Sequence, residues 1–125
     1  MKIGISSMGQ DLEANVDARF GRCQYFIIVD TESMDFEALS NESVAASGGA
    51  GIQAAQTLVK QDVMAVLTGN MGPNAFQTLT VAGVKVVTGV NGTIRDAVDK
   101  FNKGFFKEAD LPSVDSHSGL GGGQQ

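Results

Sequence analysis

The second half of this chain alternates helix-forming and strand-forming segments, and this alternation restricts the folds that it can adopt. Apolar residues recur at helical spacing in three segments, with two short apolar runs between them. In chain order, the predicted helices and strands of this half are Ala50–Lys60, Asp62–Thr68, Ala75–Ala82, Val84–Thr88 and Arg95–Lys103. Pro73 suits the first turn of the second helix, and Thr93 is the expected N-cap of the third. Strands that are joined by helices pair in parallel through right-handed crossovers, so a parallel sheet is expected.

The first part of the chain predicts a different arrangement of strands. Three strands are expected there, Lys2–Ser7, Tyr25–Asp30 and Met34–Ser40, after a polar loop between the first two. The short connection between the last two favours an antiparallel hairpin. Together the two halves predict a single α/β domain over residues 1–106, with a mixed five-stranded sheet flanked by helices. Residues 107–125 are polar and rich in glycine, and they are expected to form a flexible tail.

Composition and charge exclude several classes of protein. The 9 basic residues are outnumbered by 14 acidic ones and tryptophan is absent, so neither a general nucleic-acid binder nor a platform for base stacking is indicated. One cysteine and one histidine exclude an internal disulfide and a Cys/His zinc site. No apolar run approaches the roughly 20 residues of a membrane span. The N-terminus lacks the pattern of a secretion signal, so a cytoplasmic protein is expected.

The segment from Arg19 to Cys23 contains the first candidate site. Arg19 and Arg22 lie three residues apart around Gly21, and two guanidinium groups at that spacing can face one oxyanion or sulfido-anion. The thiol of Cys23 follows both cations, which predicts a lowered pKa and a role in contacting a metal. The alternative is that the arginines are solvated and that Cys23 fills space in the core.

Two glycine-bearing turns supply the other candidates. The run Ser47–Gly51 opens a predicted helix, so its main-chain N–H groups can converge on an anion, although no Walker lysine follows. The alternative for this run is a flexible loop. The run Thr68–Asn74 lies between a strand end and a helix start, where open α/β sheets bind ligands. Met8 and Met71 are expected to face the resulting crevice, and Met64 is expected to lie in the core.

Acidic and nucleophilic side chains predict no catalytic centre. Acidic residues near strand ends, such as Asp30 and Asp62, are expected to be solvated, and no set of acids can be assigned to a two-metal nuclease site. The only histidine, His117, lies in the predicted tail, which argues against a Ser-His-Asp arrangement and against a metal site there. The chain is therefore not expected to be an enzyme.

Five stretches of the sequence, taken together, resemble a known family. They are MKIGISS, ARFGRCQYFIIVD, GGAGIQAAQTLV, AVLTGNMGPNAFQTLTVAGVKVV and GTIRDAVDKFNKG. Their combination is similar to the dinitrogenase iron–molybdenum cofactor biosynthesis family, which includes nitrogenase accessory cofactor carriers and the molybdenum–copper orange-protein branch. The resemblance covers residues 1–106. It implies a ribonuclease H-like fold without an acidic nuclease site, and noncovalent binding of an anionic metal–sulfur cluster that contains molybdenum with iron or copper.

The resemblance also assigns residues to the cofactor site. The family's FGR motif falls on Phe20, Gly21 and Arg22. Its glycine turns fall on Gly48, Gly49, Gly51, Gly69, Asn70, Met71 and Gly72. Many relatives have histidine at the position of Arg19, so this chain has a cation in place of an imidazole ligand. Cys23 stands where relatives often have alanine, and it is either a metal ligand or an incidental replacement.

Three functions stay open at this point. The leading one is a non-catalytic carrier or assembly protein whose partner is the metal–sulfur cluster or its precursor. The second is an interaction or regulatory domain that works with a partner ATPase or a cofactor-assembly protein, which the acidic composition and the glycine-rich tail favour. The third is a nuclease or a nucleotide-dependent enzyme, which the missing Walker lysine and the lack of an acid cluster oppose.

Overall fold

The first strand of the chain lies in the middle of a five-stranded sheet. The strands are β1 (Lys2–Ser7), β2 (Tyr25–Asp30), β3 (Phe36–Ser40), β4 (Ala65–Leu67) and β5 (Lys85–Val87). Their order across the sheet is β3-β2-β1-β4-β5 in a computed structural model that describes residues 1–45 and 48–114. β2 pairs antiparallel with β1 and with β3, whereas β4 pairs parallel with β1 and with β5. The predicted mixed sheet is therefore confirmed, and the ribonuclease H-like relationship stays a prediction.

Among the described residues, three α-helices and one short 3-10 turn accompany the strands, and the last of these helices follows the final strand. The turn covers Glu42–Ala45, and the helices are α1 (Ala50–Lys60), α2 (Pro73–Val81) and α3 (Ile94–Asn102). Thr93 caps α3 as predicted, because its side chain accepts a hydrogen bond from the N–H of Asp96. Gly83 and Gly104 follow α2 and α3 with φ of 83° and 73°, in the left-handed region where glycine ends helices at no steric cost. The described helices are all too short or too polar to cross a membrane.

The helices bury the two faces of the sheet separately. α1 and α2 cover one face, where Phe26, Leu58 and Leu79 belong to one buried cluster. α3 covers the other face, where Ile5 and Ile94 belong to a second cluster. Burying an aliphatic or aromatic side chain of this size contributes about 1.5–3 kcal/mol to the stability of the fold. The helices on both faces therefore stabilise the sheet.

Several details differ from the sequence-based expectations. β3, β4 and β5 are shorter than predicted, because the residues at one or both ends of each predicted strand lie outside the paired register of the sheet. The prediction that Met64 lies in the core is wrong, since its side chain is 54% exposed. Met64 precedes β4, and its N–H donates to the carbonyl of Lys2, so only its backbone joins the sheet.

The segment after α3 stays in contact with the folded domain. Residues 107–114 were expected to belong to the flexible tail, yet the N–H of Ala109 donates to the carbonyl of Val86 at 2.7 Å. Ser113 and Val114 both hydrogen bond to Met71. The domain boundary predicted at residue 106 therefore stands only as a prediction, and His117 lies outside the described residues.

Candidate functional site

Four strands run in the same direction, so their carboxyl ends meet at one edge of the sheet, here called the loop edge. Ser7 at the end of β1 pairs with Tyr25, and Tyr25 pairs with Ser40 at the end of β3. Parallel pairing places the ends of β4 and β5 at the same edge. Loops 8–24, 68–72 and 88–93 and the described residues 41–45 and 48–49 therefore all lie at this edge. This is the edge at which open α/β sheets bind ligands.

The arginine loop, residues 18–23, is attached to the second glycine turn by main-chain contacts. The N–H of Asn70 donates to the carbonyl of Ala18 at 2.7 Å, and the N–H of Phe20 donates to the carbonyl of Asn70 at 3.3 Å. A Cβ atom at Gly69 would lie 2.6 Å from the Cα of Ala18, so only glycine allows this approach. The structure thus brings together the first and third candidate segments of the sequence.

The arginine loop also contacts the first turn of α1, and α1 in turn contacts α2. A Cβ atom at Gly21 would lie 3.0 Å from both the N and the Cα of Gly51. A Cβ atom at Gly51 would lie 3.4 Å from the Cβ of Ala75, in the first turn of α2. The N-termini of α1 and α2 and the arginine loop are therefore neighbours at the loop edge.

Both of these helices begin without a side-chain cap. Their N-cap residues are Gly49, in the left-handed region with φ of 72°, and Gly72, in an extended conformation. Neither helix has an acidic residue in its first turn. By contrast, α3 begins with the Thr93 cap and carries Asp96 in its first turn. Because the first N–H groups of a helix have no partner within the helix, the starts of α1 and α2 offer donors and positive potential to an anion.

The two arginines lie on this same loop, and both are exposed. The side chain of Arg19 is 69% exposed, and its Nε lies 3.6 Å from a carboxylate oxygen of Asp17. The guanidinium group of Arg22 donates from Nη1 to the carbonyl of Val44 at 3.1 Å. This bond connects the arginine loop to the 3-10 turn that precedes the first glycine turn. The structure describes Gly48 and Gly49 of that turn, whereas Ser47 lies outside the described residues.

A buried polar cluster supports the loop edge from below, and the sequence did not reveal it. The hydroxyl of Ser6 donates to the carbonyl of Asp17 at 2.7 Å and shares a hydrogen bond of 2.7 Å with the hydroxyl of Thr68. The carboxylate of Asp17, which is almost fully buried, accepts the N–H of Arg19 at 2.9 Å. Small polar residues at the ends of β1 and β4 were the available signal.

Asn41 is a second positioning residue that sequence reasoning missed. Its side-chain amide donates to the carbonyl of Gly21 at 3.2 Å and to the carbonyl of Cys23 at 2.8 Å. Its amide oxygen accepts hydrogen bonds from the N–H and the hydroxyl of Ser43. Asn41 is buried, so these bonds hold the arginine loop against the end of β3. An asparagine immediately after a strand was the only sequence signal.

Cys23 does not have the properties that the sequence predicts. Its side chain has no exposed surface, and its thiol donates to the carbonyl of Phe20 at 3.2 Å. Burial raises the pKa of the Cys23 thiol to about 12, and the nearby carboxylate of Asp17 acts in the same direction. The expected lowering of the pKa is therefore wrong, because desolvation outweighs the hydrogen bonds from the backbone and from the Asn41 side chain, which act to lower the pKa. In this conformation, a protonated and buried thiol gives no chemical basis for Cys23 as a metal ligand.

The two methionines expected at the crevice differ in exposure. Met8 is 62% exposed in a loop at the loop edge, as expected. Met71 is only 1% exposed and packs in the cluster beneath α1 and α2, so the prediction that its side chain faces the crevice is wrong. The N–H of Met71 donates to the hydroxyl of Ser113 at 2.8 Å.

The donors at the loop edge suit an anion better than a bare metal ion. Within residues 1–45 and 48–114, no three His, Cys, Asp or Glu side chains lie close enough together to hold a metal. Main-chain N–H groups and guanidinium groups are donors, which bind oxygen or sulfur atoms that already carry negative charge. A cluster whose metals are already saturated with sulfide fits this donor set, whereas an unligated metal ion does not.

Comparison with known sequences connects the chain to one family. The sequence profile described as dinitrogenase iron-molybdenum cofactor matches residues 1–104. An uncharacterised protein of Methanocaldococcus jannaschii is 24% identical over 108 residues, which are 83% of this chain and 92% of that protein.

Solved structures are similar over most of the chain. The apo form of the orange protein from Desulfovibrio gigas is 41% identical with a TM-score of 0.88, covering 90% of this chain and 96% of that one. A Thermotoga protein that was named as a NifB protein and solved by NMR is 42% identical with a TM-score of 0.74. That match covers 86% of this chain and 91% of the Thermotoga chain.

Proposed function

The chain belongs to the dinitrogenase iron-molybdenum cofactor family, and we propose that it binds, carries or helps to assemble an anionic metal–sulfur cluster. The cluster contains molybdenum with iron or copper and is held noncovalently at the loop edge. It is cargo and not a catalytic group, so the proposed role is non-catalytic.

The strongest support for this proposal is the position of two uncapped helix N-termini beside the arginine loop. Two helices, α1 and α2, begin side by side without side-chain caps, next to the loop that carries both arginines. A helix that needed only its own stability would gain from a capping side chain, as α3 does from Thr93. The uncapped N–H groups of α1 and α2 are therefore available to an external anion.

The residues at the loop edge have separable roles in this proposal. Arg19 and Arg22 supply the positive charge, and the turns at Gly49–Gly51 and Gly69–Gly72 supply main-chain donors. Phe20 is buried, with its ring centroid 5.2 Å from that of Phe26, so its part in the predicted site is to anchor the arginine loop. Gly21 provides the close approach to α1.

The relatives support the class of cargo. The orange protein and the Thermotoga protein named for NifB share 41% and 42% of their aligned residues with this chain. The donor set at the loop edge explains how a chain with one cysteine can hold such a cluster, since sulfide already fills the coordination sites of the metals. A Cys₄ iron–sulfur site would need three more thiolates than the chain contains.

The proposal is tested by mixing the protein with tetrathiomolybdate and copper(I) under anaerobic conditions and separating bound from free metal by gel filtration. We expect molybdenum and colour to elute with the protein. The double variant Arg19→Gln/Arg22→Gln should lower the affinity at least roughly tenfold, because each charge-assisted hydrogen bond contributes about 1.5–3 kcal/mol.

The matched control is Lys60→Gln/Lys85→Gln, which removes the same charge from the end of α1 and the beginning of β5, away from the loop edge. This control should bind like the unmodified protein. Separate elution of metal and protein, or equal affinities for the two double variants, would contradict the proposal. Molybdate in place of tetrathiomolybdate distinguishes a preference for sulfur from general anion binding.

A further inference from the structure

After α3 the chain stays in contact with the domain. It passes the outer edge of β5 and reaches the loop edge. Residues 105–114, here called the strap, follow Gly104 without regular secondary structure. Phe106 packs against the cluster on the α3 face, whereas Ala109 packs against the cluster on the opposite face. Between them the strap passes the outer edge of β5, where the N–H of Ala109 donates to the carbonyl of Val86 at 2.7 Å.

The strap ends on the second glycine turn. The hydroxyl of Ser113 accepts the N–H of Met71 at 2.8 Å, and the N–H of Ser113 donates to the carbonyl of Met71 at 3.0 Å. The N–H of Val114 donates to the same carbonyl at 3.3 Å. Met71 lies between Asn70, which bonds the arginine loop, and Gly72, the N-cap of α2. The strap therefore occupies the main-chain N–H and carbonyl of Met71, which lie inside the proposed binding site.

The strap is held less firmly than the rest of the domain. Phe105 and Leu111 are 71% and 75% exposed, so two of its large apolar side chains contribute little to the core. It contains no helix or strand, and the hydrogen bonds described above are made at its middle and its end. Segments with few buried contacts open at low free-energy cost, so the strap is suited to local opening.

We propose that the strap is a latch on the cluster site, and that docking of Ser113 and binding of the anion exclude each other. This inference rests on the proposed function. The Met71 N–H donates to a neutral hydroxyl in the latched state, and a charged acceptor forms a hydrogen bond roughly twice as strong. The anion therefore displaces Ser113 from Met71. By linkage, the docked strap lowers the affinity for the anion by the same factor as the bound anion weakens docking of the strap.

The test uses the full chain and tetrathiomolybdate with copper(I) as the probe. Ser113→Ala removes the acceptor of the Met71 N–H and should raise the affinity for the anion by roughly two- to tenfold. Ser33→Ala is the matched control, because its hydroxyl also accepts one backbone N–H, that of Asp35, in the β2–β3 turn away from the loop edge. This control should leave the affinity unchanged.

Hydrogen exchange provides a second readout that does not depend on a variant. The N–H groups of Ala109 and Ser113 should be protected in the free protein and should lose protection when the anion binds. Unchanged or increased protection on binding, with equal affinities for Ser113→Ala and Ser33→Ala, would overturn the latch and leave the proposed function standing. Absence of binding by every variant would overturn both, whereas binding by Ser113→Ala and not by the unmodified chain would support the latch.

Discussion

Cys23 lies three residues after Phe20, and its thiol donates a hydrogen bond to the Phe20 carbonyl. The Cys23 side chain has no exposed surface. The neighbouring arginines are exposed to water, which screens their charge, while the thiol itself is in the core. Desolvation therefore decides its ionisation, and the residue contributes packing instead of reactivity.

This burial predicts a specific dependence of stability on pH. In the unfolded chain the thiol ionises near the ordinary cysteine pKa of 9.0, whereas in the folded protein it keeps its proton up to a pKa of about 12. Below the lower value both states are protonated, so the Cys23 contribution is constant there. As pH rises above it, only the unfolded state releases the proton, and the free energy of unfolding falls.

Urea unfolding at about pH 7 and about pH 10.5 measures this effect. Cys23→Ala should show a smaller loss of stability between the two pH values than the unmodified protein, because the variant lacks the buried thiol and shares every other side chain. Equal losses would mean that the thiol ionises in the folded state as readily as in the unfolded chain.

Gly69 gives a second prediction for a single residue. In Gly69→Ala the new Cβ would lie 2.6 Å from the Cα of Ala18, a backbone atom that cannot move without shifting the arginine loop. We expect the free energy of unfolding to fall by about 1–3 kcal/mol, together with weaker binding of the anion. Gly48→Ala is the control, since a Cβ there meets no atom within 4 Å, and its stability should change by no more than about 0.5 kcal/mol. A stable Gly69→Ala protein would show that the loop contact is dispensable.

At the scale of whole elements, the start of α2 can be tested separately from the arginines. Asn74→Asp places a negative charge in its uncapped first turn, which should stabilise the helix by about 0.3–1 kcal/mol through its dipole. The same charge should repel an anion held there and weaken its binding roughly threefold or more. Stability and affinity would then change in opposite directions.

Gln77→Glu is the matched control for this prediction, because it adds the same charge one turn later on an exposed position of α2. Its effect on binding should be smaller than that of Asn74→Asp. Thermal unfolding and a titration with tetrathiomolybdate measure the two quantities. Equal weakening by both variants would indicate general repulsion by charge and not a site at the start of the helix.

At the scale of the whole molecule, the two faces of the sheet are packed by separate hydrophobic clusters. Leu58 lies in the cluster under α1 and α2, and Ile94 lies in the cluster under α3. Leu58→Ala should cost about 2–5 kcal/mol and Ile94→Val about 0.5–1.5 kcal/mol. Because the two residues belong to different clusters, the double variant should show the sum to within about 0.5 kcal/mol. Urea unfolding measures all three variants, and a deviation beyond that margin would reveal coupling through the sheet.

The sequence predicted the elements well because their signals are local. The bounds of β1, β2 and α1 agree with the periodicity of apolar residues, and the Thr93 cap follows from a local preference. β4 and β5 were predicted too long, since the apolar runs extend beyond the residues that pair in the sheet. The mixed sheet followed from the order of elements, because crossover rules leave few alternatives.

The candidate site was predictable only in part. Parallel strands must end at one edge, so the convergence of the arginine loop and the glycine turns there followed from the topology. Burial was not predictable, because whether Cys23 or Met71 faces solvent depends on helices that are distant in sequence. The Asn41 amide reaches Gly21 across 20 residues, and Ser113 reaches Met71 across 42. Neither contact leaves a local pattern.

Local signals in the chain specify which segments become helices and strands, the mixed sheet, and the edge at which the glycine-rich loops lie. Those properties depend on hydrophobic periodicity, turn residues and chain connectivity, which act over a few residues at a time. Contacts between distant parts of the chain produce the raised pKa of Cys23, the hydrogen bonds from Asn41 to the arginine loop and the return of the strap to Met71. Each of these depends on which distant groups exclude water from a side chain or complete its hydrogen bonds, and that is settled only when the whole domain packs.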